Sequence, residues 1–132
     1  MRNILKTFTL AAAALGAVSA ASAAPLPPEA RLARMLDGRV AGKPVSCLNQ
    51  RSISSTEIID DTAIVYRVGS KLYVNRPRSG ADWLHRDDIL VTRTIGSQLC
   101  SIDTVRLLDR TSMIPAGFVS LGDFVPYTRP KN

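Results

Sequence analysis

The alternation of apolar and polar positions changes character three times along this chain of 132 residues. TFTLAAAALGAV, residues 7–18, is almost wholly apolar yet short for a bilayer span. In EARLARMLDGR, residues 29–39, Leu32, Met35 and Leu36 recur at helical spacing, with Pro28 ahead, Glu29 in the first turn and Gly38 beyond the end. These are the start and stop signals of a short amphipathic helix. From Cys47 onward the pattern becomes one of short runs rich in Val, Ile, Thr and Tyr, broken by Gly, Pro and Ser about every ten residues.

Within that region ISSTEIID reads as a strand, and Asp60, Asp61 and Thr62 as an Asx-type turn. The AIVYRVGSKLYVNR segment is the clearest hairpin. Its two-residue turn with Gly69 ahead of Ser70 fits type II′, which sets Tyr66 opposite Tyr73 and Val65 opposite Val74. Two facing tyrosines can form a ligand-stacking platform, but packing within the sheet is the ordinary use. Ile89 to Thr94 reads as another strand, Ile95 to Gln98 as a turn, and Thr104 to Leu108 as a strand ending at Asp109; Phe118 to Tyr127 closes the chain around a Leu-Gly-Asp-Phe bend. The expected fold is mainly β, a small antiparallel barrel or sandwich with one short N-terminal helix.

The N-terminus carries an address. Arg2 and Lys6 precede the apolar run and SAASAA follows it, the order of a secretory signal peptide. Ala21, Ser22 and Ala23 satisfy the A-x-A pattern, with Ala24 as the first mature residue; a cut after Ala24 would place Pro25 beyond the scissile bond. The expected organisation is a signal peptide over 1–23, an extended lead-in and helix over 24–46, and a β-rich domain over 47–132. The Ala-rich signal is bacterial in style, so the expected location is the periplasm or the medium. No later apolar run reaches spanning length, and the mature chain is not expected to be transmembrane.

Export bears on both charge and cysteine. The formal charge of +6 falls to +4 when Arg2 and Lys6 leave with the signal, and acids are interspersed among the remaining cations. Nucleic acid is not an expected partner. An envelope protein, or an anionic envelope component such as a lipid headgroup, is. Cys47 and Cys100 are the only cysteines, and an even pair in an oxidising compartment without C-x-x-C spacing predicts one structural disulfide.

Candidate chemistry concentrates in RPRSGADWLHRDD, residues 76–88, which holds the only Trp and the only His. Arg76, Arg78, Trp83 and His85 form the candidate binding set, with Trp83 expected to fold back onto the core. A single histidine without a G-x-S-x-G elbow supports no triad, and one His with two distant Cys falls short of a zinc site. No D-x-D-x-D-G loop or Gly-rich phosphate loop is present. No catalytic residue, metal or cofactor is expected. The leading reading is a non-enzymatic envelope binding or accessory domain. Two alternatives stand beside it: a small hydrolase using Asp82, His85 and Asp87 or Asp88, which requires those side chains to converge in a cleft, and an inhibitor presenting Arg76 and Arg78 to an acidic enzyme cleft.

The stretches CLNQRSISSTEIIDDTAIVYRV, YVNR, IGSQLC with IDTVRLLD, and LGDFVPYT resemble a family of small exported bacterial proteins built on a domain of unknown function. The resemblance covers most of the mature chain and implies no activity or ligand. Members often carry two further cysteines, near the positions of Ala81 and Ser120, and a bond between those two would leave Cys47 and Cys100 as a self-sufficient pair.

Overall fold

The computed structural model describes residues 19–132; the apolar body of the expected signal peptide lies outside them, while Ala21 to Ala24 are exposed and belong to no regular element. No helix among the described residues is long and apolar enough to cross a membrane. Helix α1 spans Pro28–Met35 and begins with proline in its first turn, where the missing N–H costs nothing. Leu32 is its one fully buried side chain. Two ion pairs hold the helix across the sheet beneath it: Arg76 donates from Nη1 to Glu29 Oε1 at 2.8 Å and from Nη2 to Oε2 at 3.1 Å, and Arg31 pairs with Glu57.

Among the described residues ten short strands form three antiparallel sheets. The largest runs β1 (Val40–Ala41), β10 (Phe124–Thr128), β5 (Lys71–Asn75), β4 (Ala63–Val68) and β3 (Ile53–Ile59), in that spatial order. The second is β6 (Asp88–Thr92), β8 (Thr104–Asp109) and β9 (Pro115–Ser120); the third pairs β2 (Cys47–Asn49) with β7 (Gln98–Cys100). The described residues are therefore mainly β with one short α-helix, as the patterning predicts. No closed barrel forms among the described residues.

Strand β4 explains how the layers stack. Successive strand residues point to opposite faces, and here both faces are buried: Ala63 and Val65 pack with Leu32, Leu72 and Val74 under the helix. Ile64 and Tyr66 pack on the other side with Val105, Leu107, Val119 and Phe124. That is why AIVY reads as a continuous apolar run. The β4–β5 hairpin has the expected register, Tyr66 with Tyr73 and Val65 with Val74, turned by Gly69 at φ 59 while Ser70 keeps a negative φ, as type II′ requires. The Tyr66 ring meets Phe124 edge-on with centroids 5.6 Å apart, and Tyr73 packs partly buried against the same cluster. The facing tyrosines are sheet packing.

Cys47 and Cys100 are direct partners across β2 and β7 and form the disulfide. Ser101 N–H donates to Ser46 O at 2.7 Å, so the cysteines occupy a non-hydrogen-bonded pair, where facing side chains approach most closely. The Cys100 N–H, pointing away from that ladder, donates instead to Asp103 Oδ2 at 2.7 Å.

Two expectations need correction. Gln98, read as the end of a turn, opens β7, because the disulfide partner needs a strand to pair with. Trp83, expected on the core, is 54% exposed; its neighbour Leu84 is fully buried in its place. A short 3-10 turn over Ala81–Trp83 rotates the indole outward as it turns Leu84 in.

Candidate functional site

The stretch 76–88 does not assemble into one site. Arg76 is committed to Glu29, and Arg78 donates from Nε to Leu121 O at 2.8 Å and from Nη2 to Ser101 O. Both cations stitch the loop to its surroundings. Gly80, at φ 81, lies so close to Phe118 that a Cβ would run into that residue's carbonyl oxygen, and Trp83 lies over Gly117, where a Cβ would meet the indole ring at 3.1 Å. These two glycines seat the turn against β9. Trp83 is thereby displayed beside Phe118, itself 60% exposed, on the rim of a shallow hollow.

His85 points elsewhere. It lines a hollow with Asp60, Asp61, Arg86, Asp87, Asp88 and Asp109, and Asp82 is not part of it. Asp82, His85 and Asp87 are all exposed, and Asp60 is spoken for: its Oδ1 accepts from the Arg86 N–H at 2.6 Å and its Oδ2 from Arg86 Nε at 3.0 Å. Of the residues the hydrolase reading names, His85, Asp87 and Asp88 share this hollow and Asp82 lies outside it. Among the described residues no group of three His, Cys, Asp or Glu is placed to hold a metal ion.

The more developed site lies where two sheet edges face each other. Strand β3 is the edge of the five-stranded sheet and β6 the edge of the three-stranded one, and between them is a cleft of ≈ 480 Å³. Ile53 and Ile58 from β3, Leu90 from β6, and Leu99 from β7 give it apolar walls; Arg31, Glu57, Asp88 and Arg110 give it charge. Tyr66 lines it too, and burial pushes that phenol well above the ordinary tyrosine range.

Two residues that line this cleft carry buried polar atoms without a partner. Asp88 is 7% exposed, and no protein group donates to its Oδ2. Arg31 places Nη2 on Glu57, while its buried Nη1 has no acceptor. Buried polar atoms are hydrogen-bonded as a rule, and an orphan costs about 1–3 kcal/mol. The two residues that carry these atoms line the same cleft.

A signal for this site was present in the sequence. Asp88 is in phase with Leu90, which packs against the core, so an acid occupies the inward-facing row of a strand. The facing position of β3 could not be seen, because it depends on how two sheets from distant segments stack.

A scan against protein-family models finds no match, and searches of curated proteins and of solved structures find none either.

Proposed function

We propose that the chain is an exported, non-enzymatic domain, periplasmic or secreted after cleavage behind Ala23, that acts at the cell envelope by holding an extended segment of a partner protein between β3 and β6. The observation that carries this reading is Asp88, a buried acid on the inward row of an edge strand whose Oδ2 has no donor.

The reading takes the two larger sheets as an open sandwich with its seam along that cleft. Edge strands leave a row of backbone N–H and C=O groups unpaired, and an added strand is a common way to satisfy them. A peptide brings what the seam lacks. Once the Asp88 and Arg31 side chains turn toward the opening, its amide or amine donors match Asp88 Oδ2, its carbonyls or a carboxylate match Arg31 Nη1, and alternate side chains meet the apolar walls. The cleft volume of ≈ 480 Å³ falls inside the range of roughly 300–1,000 Å³ typical of ligand pockets. Export is supported by the n-region, apolar run and A-x-A triplet, and by the disulfide, which persists in oxidising compartments.

The test compares envelope extract captured on the wild-type mature chain with that captured on Thr56→Trp, which fills the mouth of the cleft from an exposed position on β3. A protein retained by the first and lost from the second, with both chains equally folded, supports the proposal. Equal capture by both, or capture of nothing above background, overturns it.

A further inference from the structure

Five arginines of this fold are committed to partners away from the hairpin tip. Arg31, Arg76 and Arg86 are neutralised by Glu57, Glu29 and Asp60, while Arg78 and Arg110 donate to backbone carbonyls. A second group gathers at the opposite end of the five-stranded sheet, where the β4–β5 hairpin tip, the start of β1 and the tail after β10 meet. Arg39, Arg67, Lys71, Arg129 and Lys131 surround a hollow of ≈ 760 Å³, and its remaining lining is Ser70, Thr128 and Pro130. No Asp or Glu lines it.

The arrangement is organised. Arg39 Nη1 donates to Ser70 O at 2.8 Å and to Tyr127 O at 3.3 Å, which fixes one guanidinium between the hairpin tip and β10. Partial desolvation, followed by the charges of Arg129 and Arg67, holds Arg39 below the ordinary arginine range. Like charges are thus held close without a counter-charge, at a cost that an arriving anion would relieve.

We infer that this end of the fold binds phosphate-bearing anions and docks the protein onto the phospholipid headgroups of an anionic membrane. The breadth of the hollow favours a surface over a free ion. Its charges ring an open space and four of the five side chains are exposed, so they meet several phosphates at once. The tip residues Gly69 and Ser70 offer no apolar anchor, so binding is electrostatic and salt-sensitive. No residue of the seam takes part, and either proposal can fail without the other.

The test is sedimentation of the mature chain with phosphatidylcholine vesicles containing about a quarter phosphatidylglycerol, and with phosphatidylcholine alone, at low ionic strength. The variant is Arg67→Gln with Lys71→Gln and Lys131→Gln, which spares Arg39 and its two carbonyl bonds. The control is Arg34→Gln with Arg93→Gln and Arg106→Gln, three exposed cations elsewhere, which lowers net charge equally. Binding to the anionic vesicles alone, weakened about a hundredfold in the first triple and less than about threefold in the control, is the expected result. Equal losses in the two triples would reduce the effect to net charge and overturn the site. Absence of vesicle binding would overturn the membrane assignment, as would heats of inorganic phosphate binding that depend on the patch when vesicles do not bind.

Discussion

Asn75 and Gly122 exchange two buried hydrogen bonds: the Asn75 amide donates to the Gly122 carbonyl at 2.7 Å, and the Gly122 N–H donates to Asn75 Oδ1 at 3.0 Å. The side chain does the work of a neighbouring strand. It secures the end of β5 to the bend between β9 and β10, which carries Leu121 and Phe124 into the core. Asn75→Ala leaves both backbone groups of Gly122 buried without partners, and urea unfolding is expected to show a loss of about 2–4 kcal/mol. Asn75→Asp keeps the acceptor and loses the donor, so its loss should exceed that of an exposed Asn substitution.

The disulfide closes a separation of 53 residues and fastens the two-stranded sheet to itself. In the chain-entropy account a loop of that length contributes about 4 kcal/mol by restricting the unfolded chain. Cys47→Ser with Cys100→Ser should lower the urea midpoint accordingly. Non-reducing peptide mapping should recover the Cys47 and Cys100 peptides joined; free thiols at both would contradict the bond.

Much of this architecture was legible because it is local. The helix was readable from Leu32, Met35 and Leu36, the hairpin from Gly69 and its flanking β-branched residues, and the disulfide from the cysteine count. What stayed hidden depends on contacts between distant segments. Whether Arg76 and Arg78 were free or committed was decided by Glu29, Leu121 and Ser101, 23 to 47 residues away. The outward turn of Trp83 was decided by Gly117, whose missing Cβ makes room for the indole. The cleft was not read from the sequence: the strand was expected to begin at Ile89, which leaves Asp88 in the loop, whereas Asp88 opens β6.

Trp83 is the only tryptophan, so its emission reports on that contact. Gly117→Ala should displace the ring and shift the emission to longer wavelength, because the new Cβ would lie 3.1 Å from it and Gly117 sits at φ 141, where side chains are strained. Trp83→Ala should cost about 1 kcal/mol in urea unfolding, less than a buried aromatic would. Partner capture should survive Trp83→Ala, since the residue is not part of the seam.

Tyr66 sets an alkaline limit. Burial raises its phenol in the folded state above the unfolded value of 10.0, so the unfolded chain releases that proton first. Its contribution is complete below pH about 10 and is lost as pH climbs from there toward the folded value. Stability measured from pH 9 to 11 should fall, and Tyr66→Phe should flatten the decline. An unchanged slope in that variant would assign the decline to other groups.

Edman sequencing of the product recovered from outside the inner membrane should begin at Ala24. An intact Met1 on the exported material would contradict cleavage behind Ala23.

The central claim concerns the seam, and amide hydrogen exchange tests it most directly. Once the retained partner is identified, a peptide covering its contact segment should slow exchange along the exposed edges of β3, Ile53–Ile59, and β6, Asp88–Thr92, and the protection should weaken in Asp88→Ala. Protection confined to other surfaces, such as the Trp83 and Phe118 rim, with β3 and β6 unchanged, would contradict the account.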